Sequence, residues 1–236
     1  MMLFIRSLIF VALFYLWSVI IAIAILPLLP APRRWIIGPV RMWAGGTIVL
    51  LRIVCGVRLE IRGRQHLSPG AALIAAKNQC MFDTIAPFTV LGDACYVMRD
   101  SLLKIPFYGW YSVKQGMIPI DREGHASALR RMLATAKARI AEGRQVVIFP
   151  EGTRMAPGLT GVYKPGVAAL YRAVGVPCLP LATNSGAHWP PHGFIRRPGL
   201  IVYEFLEPIP AGLDRAGFMT ILETRLEAAS AALLGL

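Results

Sequence analysis

The run from Leu8 to Leu29 contains no charged side chain. As a helix it would be about 30 Å long, enough to cross the hydrocarbon core of a bilayer. An ordinary soluble domain has no interior large enough to hide such a segment on all sides, so the chain is expected to meet a membrane. The run is too long for the apolar core of a usual signal peptide, and no small-residue cleavage site stands beside Pro27-Leu28-Leu29-Pro30. It reads as a retained anchor. A second stretch, Trp35 to Val57, is apolar apart from Arg41 and Arg52. That pattern suits a segment that lies at the interface or re-enters it better than a clean span.

The rest of the chain is sized for one domain. With 236 residues, the division expected is an anchor over 1–57 and a single domain over 58–236. The net charge of +12 needs a partner of opposite sign. Nucleic acid is a poor candidate, because no Lys/Arg run is interleaved with aromatics and no nucleic-acid module is visible. An anionic lipid surface accounts for the charge and the apolar N-terminus together. Arg33, Arg34 and Arg41 follow the first apolar segment and only Arg6 precedes it, so the positive-inside bias places residues from Arg33 onward on the cytoplasmic side. Trp35 and Trp43 suit the headgroup belt. Cys55, Cys80, Cys95 and Cys178 lack metal-site spacing and read as reduced, buried hydrophobes.

Beyond the anchor, short aliphatic runs alternate with helical patterns. Strands are expected at Val57–Ile61, Ala72–Ala76, Ala94–Met98, Gly116–Ile120, Val146–Phe149, Cys178–Ala182 and Leu200–Phe205. Helices are expected at Ala126–Glu142, where Ala128, Leu129, Met132, Leu133, Ala136 and Ile140 share a face, at Val167–Val174 and at Phe218–Leu234. Such alternation predicts an α/β sandwich with a mixed, largely parallel sheet flanked by helices. Chemistry in such folds gathers in the loops beyond the strand ends.

Four blocks fall in those loops: Lys77-Asn78-Gln79-Cys80-Met81-Phe82-Asp83-Thr84, Ile118-Pro119-Ile120-Asp121-Arg122, Phe149-Pro150-Glu151-Gly152-Thr153-Arg154 and Val176-Pro177-Cys178-Leu179-Pro180. Taken singly, each has a plain reading. Asn78 and Asp83 are good helix caps, Pro-Glu-Gly-Thr is a polar turn, and the last block is apolar core or wall. Chemically, Gly152 permits close backbone approach, Thr153 can bond an oxyanion, and Arg154 can grip a phosphate bidentately.

Taken in order, the four blocks resemble the glycerolipid acyltransferase family, whose best-known member is the bacterial 1-acylglycerol-3-phosphate acyltransferase. The third block matches the family pattern without a departure. The first departs from it: the family carries His-x4-Asp, and here Asn78 stands where the His would be, five residues before Asp83. In the family that His takes the proton of the acceptor hydroxyl and the Asp orients the imidazole. An amide can donate and accept hydrogen bonds but cannot take up a proton at neutral pH. Cys80, where relatives commonly carry Ser, is a conceivable acyl-accepting thiol.

The resemblance implies a membrane-bound O-acyltransferase of phospholipid synthesis at a bacterial-type inner membrane. It would move a fatty acyl group from acyl-CoA or acyl carrier protein to the hydroxyl of lysophosphatidic acid. Asn78 and Asp83 would occupy the catalytic positions. Arg122 and Arg154, with Arg99 and Lys164 after them, would hold the phosphate, and Glu151, Gly152 and Thr153 would line the acceptor. No metal or redox cofactor is implied, because a thioester is already activated. A lipid-binding paralogue without activity and an acyltransferase for a lyso-aminolipid remain the alternatives.

Overall fold

The computed structural model describes residues 1–67, 69–121 and 124–235, without the side chain of His125. Seven strands form one sheet: β1 (Val57–Arg62), β2 (Ala72–Ala76), β3 (Ala94–Arg99), β4 (Ile118–Ile120), β5 (Gln145–Ile148), β6 (Cys178–Thr183) and β7 (Gly199–Phe205). Their spatial order is β1-β7-β6-β2-β5-β3-β4. Every neighbouring pair is parallel except β6 and β7. The sheet is therefore mixed and largely parallel, as expected from the alternation.

The sheet is covered on both faces, and the two-residue strand period decides which side chain goes where. Leu73 and Ala75, Val146 and Ile148, Cys178 and Ala182 point to one face. There they meet α4 (His125–Ala141), α5 (Gly166–Val174) and α7 (Arg215–Leu234) through Met132, Ala136, Leu170, Tyr171, Phe218, Leu222 and Leu226. Ile74, Ala76, Val147, Leu179 and Leu181 point to the other face, where the cover comes from the N-terminus.

That cover is a helical hairpin. α1 (Met2–Ala24) and α2 (Arg34–Cys55) are joined by a short 3-10 turn at Leu26–Leu28. The second apolar stretch is thus a full helix, ending at Gly56, whose φ of +69° closes it before β1. Trp17 Nε1 donates to the Trp43 carbonyl at 3.0 Å, and Trp43 Nε1 donates to Ser18 Oγ at 2.9 Å. Trp43 is therefore spent on joining the hairpin, while Trp35 stays exposed. Phe10, Phe14, Ala44 and Leu51 belong to the same core cluster as Ile74, Val147 and Tyr203, so the packing is continuous across residue 57.

Both ends of α1 are tied to the sheet domain. At its start, Ser7 Oγ accepts from the Arg196 backbone N–H at 2.8 Å, and Arg6 Nε donates to the Val54 carbonyl at 2.6 Å. At its end, Tyr111 of α3 (Tyr108–Gln115) donates to the Ala22 carbonyl at 2.5 Å. Just beyond, Arg33 makes a two-pronged ion pair with Asp93 at 2.7 Å. The hairpin lies along the domain, and its outward side is apolar, with Leu8, Leu16, Val19, Ile23, Val49 and Ile53 exposed.

Candidate active site

β2 is a central strand whose last four residues are buried, flanked by β5 and β6 in parallel register. The strands β2 to β6 run the same way, so they deliver their exits to one edge of the sheet. Three of the four expected blocks leave strands there: 77–84 after β2, Asp121 after β4 and 149–154 after β5. The fourth block is different, since Cys178–Pro180 forms the first half of β6 itself and is buried.

Asp83 is the organising acid of the first block and is almost wholly buried. Its Oδ2 accepts from the backbone N–H groups of Gln79 at 2.5 Å and Cys80 at 2.8 Å, and its Oδ1 accepts from the Tyr203 hydroxyl at 2.5 Å. Burial pushes this carboxyl up, and Ser185 first, then Tyr203 and the two backbone N–H groups, oppose that shift. The result is a fixed carboxylate framed by donors beneath a 3-10 turn at Met81–Thr84.

Asn78 lies at the start of that frame. Its backbone carbonyl accepts from Met155 N at 2.9 Å, joining the first block to the residue that follows the third. Its side chain is nearly buried, and Oδ1 has no hydrogen-bond partner among the described residues. A buried amide oxygen without a partner is uncommon in a settled interior. The Asp83 frame is therefore built, and the amide five residues before Asp83 leaves its own oxygen unmatched.

Cys80 is fully buried, and burial together with Asp83 pushes its thiol well above the ordinary range. It stays a thiol, which removes it as a nucleophile. Of the histidines, His66 meets Gln65, and His188 meets the Arg197 carbonyl.

The third block divides by burial. Gly152 turns in the left-handed region at φ +66°. Thr153 and Arg154 emerge exposed. Glu151 points inward instead. Its Oε1 accepts from Lys77 Nζ at 2.7 Å and from Gly161 N at 2.9 Å, while Oε2 has no partner among the described residues. Burial pushes its carboxyl up, and Lys77 opposes that shift. Arg99 is exposed at the end of β3, beside the β5 exit, and Lys164 is exposed just before α5. Arg122 lies outside the described residues.

One cluster escapes a reading of the motifs. Lys77 Nζ, 2% exposed, bonds Glu151 and both carboxylate oxygens of Glu227 on α7, at 2.7 and 2.8 Å. Glu227 also accepts from Tyr163 at 2.7 Å and Thr160 at 3.0 Å. A buried lysine at a strand exit is the one sequence signal that hints at this cluster. Its partner, 150 residues away, gives none.

The chain is similar to known acyltransferases. A family model described as Acyltransferase matches residues 58–184. A 1-acyl-sn-glycerol-3-phosphate acyltransferase of Pseudomonas aeruginosa is 33% identical over 187 residues, covering 79% of this chain and 72% of that protein. A Helicobacter pylori protein of the same name is 37% identical over 100 residues, 42% of this chain and 41% of its own length. The crystal structure of the 1-acyl-sn-glycerophosphate acyltransferase of Thermotoga maritima superposes with a TM-score of 0.81 over 98% of both chains, at 19% identity. With the Asp83 frame and the intact third block at adjoining strand exits, this chain belongs to the glycerolipid acyltransferase family of O-acyltransferases.

Proposed function

We propose that the chain transfers a fatty acyl group from acyl-CoA or acyl carrier protein to the free hydroxyl of 1-acylglycerol 3-phosphate, and that it does so slowly with Asn78 in place. The acceptor oxygen attacks the thioester carbonyl carbon, the C–S bond breaks, and the acceptor's proton leaves, ending on the departing thiol. A base near the hydroxyl normally removes that proton as the C–O bond forms, a contribution of ~10²–10⁴-fold. Here solvent must take it, since Asn78 has no basic lone pair and Cys80 is a buried thiol. The reaction needs no cofactor beyond its thioester.

The observation that carries this reading is the Asp83 frame. Two backbone N–H groups and Tyr203 hold the carboxylate as an orienter, beside a buried position whose amide oxygen has no partner. The exposed Arg154 and Arg99 favour a phosphate-bearing acceptor over a lyso-aminolipid. The chain would work at the inner-membrane surface, its domain on the cytoplasmic side with the donors, and the α1–α2 hairpin lying in one leaflet.

The test is an acyltransfer assay with purified full-length protein, acyl-CoA and lysophosphatidic acid. Slow formation of the diacyl product is expected. Binding of lysophosphatidic acid with no product at all would favour the second reading, a lipid-binding member without activity, for which Asn78 speaks. Failure to bind the lysolipid at all would overturn both.

A further inference from the structure

Arg196 has no place in the acyl-transfer site, and its surroundings do not satisfy it. It lies in the segment between α6 (Ser185–His188) and β7, and only 8% of it is exposed. Nη1 donates to the carbonyls of Gly193 at 3.1 Å and Phe194 at 2.5 Å. Nε has no partner, and Nη2 makes no hydrogen bond among the described residues. Among the described residues no carboxylate forms an ion pair with it. Its charge is instead held over the rings of Trp189, at 4.4 Å, and Phe10, at 5.9 Å. Burial pulls its ionisation downward, with only Cys55, Cys80 and Tyr15 opposing. Cation–π contact recovers part of the desolvation of a buried cation, but an anion recovers more.

Arg196 borders a cavity of about 270 Å³, which Phe10, Phe14, Tyr15, Met81 and His192 help to line. The unpartnered Nε–Nη2 edge is the fork that grips an oxyanion bidentately. Val11 and Tyr15, at the mouth, continue along one face of α1 into Leu8 and Phe4 at helical spacing. Phe4, Leu8 and Tyr15 are each at least half exposed. A ligand seated here therefore has an anionic head at Arg196 and an apolar tail along that stripe.

We propose that this cavity binds the phosphodiester head of an anionic bilayer phospholipid, separately from the acceptor site at Arg154. A single guanidinium matches one negative charge, which a phosphodiester carries and a phosphomonoester exceeds. The proposal does not depend on turnover, so it stands or falls apart from the acyl-transfer reading.

The test is native mass spectrometry of the full-length protein in neutral detergent. The probes are short-chain phosphatidylglycerol, phosphatidylcholine with the same chains, phosphatidic acid with the same chains, and inorganic phosphate. One phosphatidylglycerol should be retained, at least about tenfold more tightly than phosphatidylcholine, and Arg196→Gln should abolish the difference. Should Arg196→Gln not fold, Val11→Trp, which fills the mouth and leaves the guanidinium in place, should lose the same lipid. Equal retention of both lipids, or undiminished phosphatidylglycerol binding in the folded variant, would overturn the site. Displacement by inorganic phosphate would overturn the lipid assignment, and tighter binding of phosphatidic acid would overturn the phosphodiester assignment.

Discussion

At the scale of the residue, Asn78 and Asp83 form a matched position with a mismatched occupant. Asn78→His returns an imidazole to a place that Asp83 can orient, and turnover should rise by ~10²–10⁴-fold. Asn78→His/Asp83→Asn should lose most of that gain, because the amide keeps the shape but not the charge. A rate unchanged by Asn78→His would place the base elsewhere. Arg154 makes a separate prediction. Arg154→Ala should weaken lysophosphatidic acid binding by ~1.5–3 kcal/mol, the worth of charge-assisted bonds. Arg154→Lys should restore only part of it, since an ammonium lacks the planar fork. Calorimetric titration of both variants measures this, and equal affinities would place the phosphate elsewhere.

At the scale of the element, the third block is held by charge rather than by its own turn. Lys77 at the β2 exit binds Glu151 in the 149–164 loop and Glu227 on α7. Lys77→Met strands two carboxylates, one of them fully buried, so it should cost about 3–5 kcal/mol and lower the melting temperature by roughly 10 °C. Hydrogen exchange should quicken over residues 155–163, where Leu159 also loses its bond to Lys77. An unchanged melt would show that apolar packing alone holds the loop. Elements differ in how plainly the sequence announces them. β2, β5 and β6 are legible because each is a short apolar run buried on both faces. β4 starts later than its apolar run suggests, because Gly116 adopts φ +71° to close α3. α3 itself is missed: Tyr108, Trp110 and Val113 are exposed, so no inward apolar period marks it as a helix. The first and third blocks are legible because their spacing is local. The Tyr203 and Glu227 contacts are not, since single polar residues far along the chain leave no pattern.

At the scale of the molecule, a helix bonded at both ends to one domain cannot run straight through a bilayer that the domain does not enter. α1 meets Arg196 at Ser7 and Tyr111 at Ala22. On the proposed membrane-surface reading, Arg6 and the Arg33–Arg41 cluster would both lie on the domain's side of the bilayer. Cysteines introduced at Met2 and at Pro30 should both react with an impermeant maleimide added from the domain side of sealed inverted vesicles. The four native cysteines are buried and should stay silent. Labelling of only one of the two introduced positions would mean that α1 crosses.

The parallel pairing of β1 with β7 also has a meaning in time. β1 ends at Arg62, and its neighbour begins only at Gly199. At a synthesis rate of ~5–20 residues per second, the first strand waits on the order of ten seconds for the edge it joins. Throughout that interval the hairpin is complete while half of the surface it will cover has yet to be made. The apolar hairpin is therefore synthesised well before the strand that β1 joins, and until then β1 has no neighbour in the sheet.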